Sequence, residues 1–197
     1  MDAPILHLDN TETAIVGYGS LLSVASISGT LKREYDGPFV PCHVAGWRRT
    51  WDVWMPNEAF YYLDGADRIY PDKVVYLNAR RSPGTRMNCV LFVVRGAELD
   101  AMHRREWVYA PVDVSLDLRG VRLDGGTALM YVGKKEHLLP QTATRREAAV
   151  RRSYLAILEQ GLQQAAAPFR AEFDATSDPV PTHLVVEDRL DPDRLSG

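Results

Sequence analysis

Two cysteines, Cys42 and Cys89, are all that occur in 197 residues. That is too few for a disulfide framework and points to a reducing compartment. An excess of positive charge is missing too: 23 Lys and Arg stand against 26 Asp and Glu, a formal net charge of −3. No overall field therefore draws the chain to nucleic acid or to an anionic membrane surface. The arginine pairs (Arg48-Arg49, Arg80-Arg81, Arg104-Arg105, Arg145-Arg146, Arg151-Arg152) are interspersed with acids and read as solvated faces. No apolar run approaches membrane-spanning length. Met1 to Thr13 is acidic and broken by Pro4, without the basic start and apolar core of a secretory signal. These absences predict a cytosolic protein with neither a nucleic-acid nor a membrane partner.

What is present suits a globular domain with a real core: 46% hydrophobic and 25% charged residues, ordinary proportions for such a chain. Ala14–Tyr18 reads as a buried strand, a brief apolar run bounded by turn residues. A loop with one helical turn follows, closed by Asp36-Gly37-Pro38. Phe39–Trp54 reads as one long strand or a bent pair, with Gly46 as a bulge. Val74–Ala79 and Asn88–Arg95 read as strands separated by a turn at Ser82-Pro83-Gly84. Glu98–Glu106 takes helical spacing, and Pro111 stops that helix from running on.

Val112–Leu118 alternates apolar and polar residues as a half-buried strand does, and Thr127–Val132 is another strand after Gly125-Gly126. Arg145–Gln164 reads as an amphipathic helix with Val150, Tyr154, Ile157 and Leu158 on one face and Glu147 placed to pair with Arg151. After Pro168 the composition shifts toward Asp, Pro and Ser, which predicts one domain over 1–175 and an extended C-terminal tail over 176–197. Regular βαβ alternation is missing. The order predicts an α+β fold, a mixed curved sheet or small open β-barrel with flanking helices.

Two features carry chemistry. The first is Tyr18-Gly19-Ser20-Leu21-Leu22, directly after the first strand. Small residues there let backbone approach a ligand closely and aim several N–H groups at one point, although strand-to-turn junctions also serve as plain connections. The second is Glu106. Leu99, Met102 and Glu106 fall at i, i+3 and i+7 on one helical stripe, with Arg104 and Arg105 pointing elsewhere. A carboxylic acid on that apolar side is desolvated, its pKa rises, and it can both take and give a proton near neutral pH. The competing reading has the helix end before Glu106, leaving the acid exposed and paired with an arginine. His103 and Glu106 at i, i+3 do not by themselves make a metal site.

Together the two motifs, in this order and spacing, resemble the γ-glutamylcyclotransferase-like superfamily. Its members open on a strand and a Tyr-Gly-Ser-x-Leu-type loop and carry one glutamate past mid-chain, followed by a tyrosine and a strand, matched here by Glu106, Tyr109 and Val112–Leu118. Gly46-Trp47-Arg48 resembles the family's Gly-Trp-Arg strand, and Tyr154 to Gly161 its late helix, so the likeness covers residues 13–162. The resemblance implies that Tyr18, Gly19, Ser20, Leu21 and Leu22 hold the α-amino acid end of a γ-glutamyl compound and that Glu106 is the general acid/base. The α-amine would attack the γ-carbonyl of the same molecule and release 5-oxoproline and a free amine, without cofactor or metal. One departure stands out: Trp107 and Val108 follow the glutamate where relatives often have glycines.

Other readings are a non-catalytic binding or regulatory module on the same fold, and a nucleic-acid module built on Trp47, Trp51 and Trp54 that the acidic balance disfavours. A thiol hydrolase is poorly served, because Cys42 and His43 are neighbours in a strand and point to opposite faces. No feature of the sequence indicates an oligomeric state.

Overall fold

In a computed structural model of the chain, which describes residues 3–140, 142–163, 165 and 167–195, eight strands build a mixed, curved sheet. They are β1 (Glu12–Gly17), β2 (Phe39–Pro56), β3 (Lys73–Arg95), β4 (Tyr109–Asp113), β5 (Leu118–Arg119), β6 (Ala128–Gly133), β7 (Ala148–Arg151) and β8 (Val185–Val186). Across the sheet the order is β8-β7-β3-β1-β6-β4, while β2 pairs with β3 and β5 off that path. β2 and β3 form a long antiparallel ribbon, and β1 joins β3 antiparallel on the ribbon's other edge. β6 runs parallel to β1, and β7 parallel to β3. Among the described residues four helices flank the sheet: α1 (Val24–Leu31), α2 (Ala97–Arg105), α3 (Arg152–Gln163) and α4 (Ala167–Ala175). The expected α+β architecture is the one observed.

Strand alternation divides the core in two. Ile15 and Phe92 face a cluster that includes Ile27 of α1 and Met102 of α2. Their neighbours Val16 and Leu91 face the opposite cluster, with Tyr154 and Leu158 of α3 and Phe173 of α4. Helices thus cover both faces, which is why Cys89 through Val94 are all buried instead of alternating.

Several expected boundaries are corrected. Ser82-Pro83-Gly84 does not separate two strands; β3 runs through it. Pairing jumps from Ala45 opposite Arg86 to Trp47 opposite Arg81, so the extra residues of β3 are accommodated as a bulge, with Gly46 and Gly84 at φ +80° and +85°. The strand expected over Val112–Leu118 stops at Asp113. Its carboxylate accepts hydrogen bonds from the Ser115 N–H (2.9 Å) and hydroxyl (2.5 Å), a local turn that outcompetes the ladder. Val114 is then buried while Leu116 is 92% exposed. After Leu22 the chain forms the two turns of α1, capped by Ser23, where a loop with one helical turn was expected.

The helix expected over Arg145–Gln164 begins only at Arg152, and Gln164 lies outside the described residues. Ala148, Ala149 and Val150 are buried as β7, between β3 and β8, so sheet pairing overrides the helical pattern. Ile157 points outward, 37% exposed. Glu147 accepts hydrogen bonds from the N–H and hydroxyl of Thr144 and does not pair with Arg151.

Residues 176–195, expected as part of an extended tail, run back over the sheet; 196 and 197 lie outside the described residues. β8 pairs with β7, Arg189–Leu190 pairs with Phe60–Tyr61, and Leu184 and Val186 are buried. Those two apolar side chains anchor a segment whose composition reads as solvated.

Candidate active site

The site lies where β1 ends. An added Cβ on Gly17 would sit 2.8 Å from the Leu21 carbonyl oxygen, so only glycine lets the chain fold back this tightly. Ser20–Leu22 then form a single 3-10 turn, closed by the Leu22 N–H donating to the Gly19 carbonyl at 2.9 Å. The N–H groups opening such a turn have no partner within it. Gly161 of α3 packs against this turn, with the Leu22 backbone 3.0 Å from where a Cβ would be.

Glu106 arrives from the other side. α2 ends at Arg105, and Glu106 caps it with its N–H still donating to the Met102 carbonyl at 2.9 Å. Leaving the helical path turns the carboxyl inward, where its side chain is only 14% exposed. Burial pushes its pKa above the ordinary glutamate value, and the Arg105 guanidinium opposes part of that rise. Both sequence readings were therefore partly right. The helix does end before Glu106 and an arginine does pair with it, yet the acid is desolvated.

Arg105 does not point elsewhere. Its Nε lies 3.0 Å from Glu106 Oε1, and its Nη2 donates to the Ser20 hydroxyl at 2.8 Å. Nη1 donates to the Ser26 carbonyl (3.1 Å) and the Thr30 hydroxyl (2.5 Å). One guanidinium thus ties the acid to the glycine-serine turn and to α1. Sequence reading missed it because the i, i+1 relationship separates side chains on a helix, and Glu106 has left the helix.

Tyr18, Gly19, Ser20 and Leu21 line one cavity with Glu106, whereas Leu22 is buried in the core beneath it. Three further tyrosines complete the wall: Tyr109, Tyr131 and Tyr154. Tyr18 donates to the Tyr131 carbonyl at 2.6 Å, and Tyr109 to the Leu77 carbonyl at 2.9 Å. An added Cβ on Gly19 would lie 3.2 Å from the Tyr154 hydroxyl. Burial raises the pKa of all four phenols, and the Glu106 carboxylate adds to the effect, so they stay protonated as donors. The cavity is small, about 30 Å³. Trp107 does not fill it. That side chain is 45% exposed and stacks edge-on against His137, while Val108 is buried in the core shared by α1 and α2.

The turn is also held from below. Arg49 is fully buried, and its Nε donates to the Tyr18 carbonyl at 2.8 Å. Its other donors reach Asn88 and the Thr176 hydroxyl, and its guanidinium lies over the Phe173 ring at 4.1 Å. Burial pulls its pKa down to about 10, so it still carries its charge at neutral pH.

The remaining sequence candidates are elsewhere. Cys42 and Cys89 are buried opposite each other on β2 and β3. Burial raises both thiols, that of Cys89 to about 12, so neither is an activated nucleophile. His43 pairs instead with Glu172 at 2.8 Å. His103 hydrogen-bonds the Tyr131 hydroxyl at 2.9 Å, and among the described residues no group of three or more His, Cys, Asp or Glu is placed to hold a metal ion. Trp47 is buried with its indole N–H on Asp117, and Trp51 packs edge-on against Tyr154, which is core packing and not a stacking platform for bases. No helix among the described residues is long and apolar enough to cross a membrane.

No family model matches the sequence, and no curated protein does. Solved structures do. A structure of a γ-glutamyl cyclotransferase is similar at TM-score 0.53 and 14% identity, over 86% of this chain and 90% of its own. An uncharacterized protein from Homo sapiens is similar at TM-score 0.60 and 13% identity, over 95% of this chain and 98% of its own. YkqA from Bacillus subtilis matches at TM-score 0.55 and 13% identity, over 87% of this chain and 57% of its own. Identities this low speak for the fold and not for the reaction. By these likenesses the chain has the γ-glutamyl cyclotransferase-like fold.

Proposed function

We propose that the protein is a cofactor-independent γ-glutamyl cyclotransferase with Glu106 as its general acid/base. The observation that carries this reading is the desolvated carboxyl of Glu106 in one cavity with the turn Tyr18–Leu21. A γ-glutamyl compound contains its own nucleophile, so catalysis needs folding of the glutamyl chain and proton traffic more than a protein nucleophile. The turn would hold the α-amino acid end. Glu106, as carboxylate, takes a proton from the α-amine while that nitrogen bonds to the γ-carbonyl carbon. It then returns the proton to the departing nitrogen as the original amide bond breaks, giving 5-oxoproline and a free amine. A carboxyl whose pKa is raised by burial suits both steps.

The test is 5-oxoproline release from a panel of γ-glutamyl amino acids, amines and glutathione. Glu106→Gln should fold and lose about 10²- to 10⁴-fold in rate. Full activity in that variant would remove Glu106 from the mechanism. The second reading, a binding or regulatory module on the same fold, takes its support from Trp107 and Val108, which follow the acid where the proteins this sequence resembles often have glycines. That reading expects a γ-glutamyl ligand to bind without release of 5-oxoproline, in the wild type as in the variant.

A further inference from the structure

We propose that Arg151 binds a carboxylate on the leaving portion of the substrate, which makes the substrate class γ-glutamyl amino acids or peptides and not simple γ-glutamyl amines. This rests on the cyclotransferase reading. Arg151 is the last residue of β7 and is half-buried, with its guanidinium carbon 3.8 Å over the Phe60 ring. Stacking fixes the plane of the fork. One hydrogen bond is made, from Nη2 to the Tyr76 hydroxyl at 3.2 Å, and the buried Nε has no partner.

No acid neutralises this charge among the described residues. Arg48 has Asp178, Arg80 has Asp52, Arg105 has Glu106 and Arg152 has Glu187. Arg49 also lacks an acid, but carbonyl, amide and hydroxyl oxygens occupy its donors. The acids near Arg151 in sequence or space are engaged: Glu147 by Thr144, and Asp188 by the N–H (2.9 Å) and hydroxyl (2.6 Å) of Ser153. A stacked, half-buried guanidinium with free donors matches a carboxylate, which it can bind through two parallel bonds.

Its position fits the leaving group. Tyr154 lines the Glu106 cavity, Tyr76 packs edge-on against Tyr154 with ring centres 4.9 Å apart, and Arg151 sits beyond Tyr76. Moving outward from the reacting carbonyl, an extended chain gains about 3.5 Å per residue. One or two residues past the γ-amide therefore bring a terminal carboxylate from Tyr154 to Arg151.

The experiment compares γ-glutamylalanine with γ-glutamylalaninamide, which differ only in that carboxylate. The wild type should prefer the acid by roughly 10- to 100-fold in kcat/KM, the range of a hydrogen bond to a charged group. Arg151→Met should erase the preference by raising KM for the acid alone, with circular dichroism unchanged, and Arg151→Lys should retain part of it. A wild-type ratio near one, or equal losses on both compounds in Arg151→Met, would overturn the proposal. If the wild type releases 5-oxoproline from neither compound, the cyclotransferase reading fails separately. Calorimetric titration of the same pair into Glu106→Gln protein, with Arg151 and with Arg151→Met, then decides. A preference for the acid that vanishes with Arg151 supports the carboxylate site; equal or absent binding overturns it.

Discussion

The Nε of Arg105 lies 3.0 Å from Glu106 Oε1 while Nη2 of the same side chain donates to the Ser20 hydroxyl. Acid and turn are therefore not independent parts. Arg105 stabilises the charged form of Glu106 against the burial that opposes it. Arg105→Met removes that stabilisation, so the carboxyl stays protonated to higher pH. In the proposed mechanism the first step needs the carboxylate, so the acid limb of the kcat/KM profile should move to higher pH in the variant. An unmoved limb with normal folding would show that Glu106 is not the group titrating.

Glu106 itself should affect stability in a way that depends on pH. Its folded pKa is raised above the ordinary value of 4.5, so between those two values the folded chain holds more protons than the unfolded one. Stability is fully present below about 4.5, the unfolded value, and declines as pH rises through the folded value. Glu106→Gln removes this dependence. Urea unfolding should find the variant gaining on the wild type as pH rises from 4 toward 8, even as activity is lost. A variant that is uniformly weaker at every pH would mean the carboxyl is not desolvated.

Two glycines near the turn should respond in opposite directions. In Gly17→Ala the new methyl meets the Leu21 carbonyl at 2.8 Å, backbone that cannot move without dismantling the turn. Overpacking of this kind costs about 1–3 kcal/mol, and substrate binding should weaken with it. Gly29 lies inside α1 with nothing within 4 Å of an added Cβ, so Gly29→Ala should gain about 0.5–1 kcal/mol from helix propensity. Chemical denaturation of the two variants checks both signs.

What the sequence made legible followed from local rules. The strand before Tyr18, the glycine-serine turn and the acid that follows the apolar stripe of α2 are short-range patterns, and each lies in the cavity or leads to it. What was not legible came from pairing across long separations. Ala148–Arg151 satisfies a helical pattern as well as a strand, and only β3 and β8 on either side decide between them. The same misreading hid the open charge of Arg151, since a helix would have placed Glu147 against it. Tyr131 entered the cavity with no motif to announce it, through the parallel pairing of β6 with β1. Arg49 looked like one of many solvated arginines and is instead fully buried.

Arg49 is the residue whose loss should be felt at greatest distance. Its guanidinium joins the Tyr18 carbonyl, Asn88 and Thr176, so the entry to the turn, the centre of β3 and the end of α4 share one side chain. Arg49→Met keeps the stem and the contact with Phe173 but takes the guanidinium donors away from the buried Tyr18 and Asn88 carbonyls. Each such orphaned group costs about 1–3 kcal/mol, so thermal unfolding should show one of the largest losses of any single substitution outside the apolar core. Arg49→Lys should recover little, because an ammonium cannot reach three directions held by a planar fork. If the Met variant instead melts with the wild type, the C-terminal segment is not tied to the turn through Arg49, and the turn must owe its shape to Gly17 and Gly161 alone.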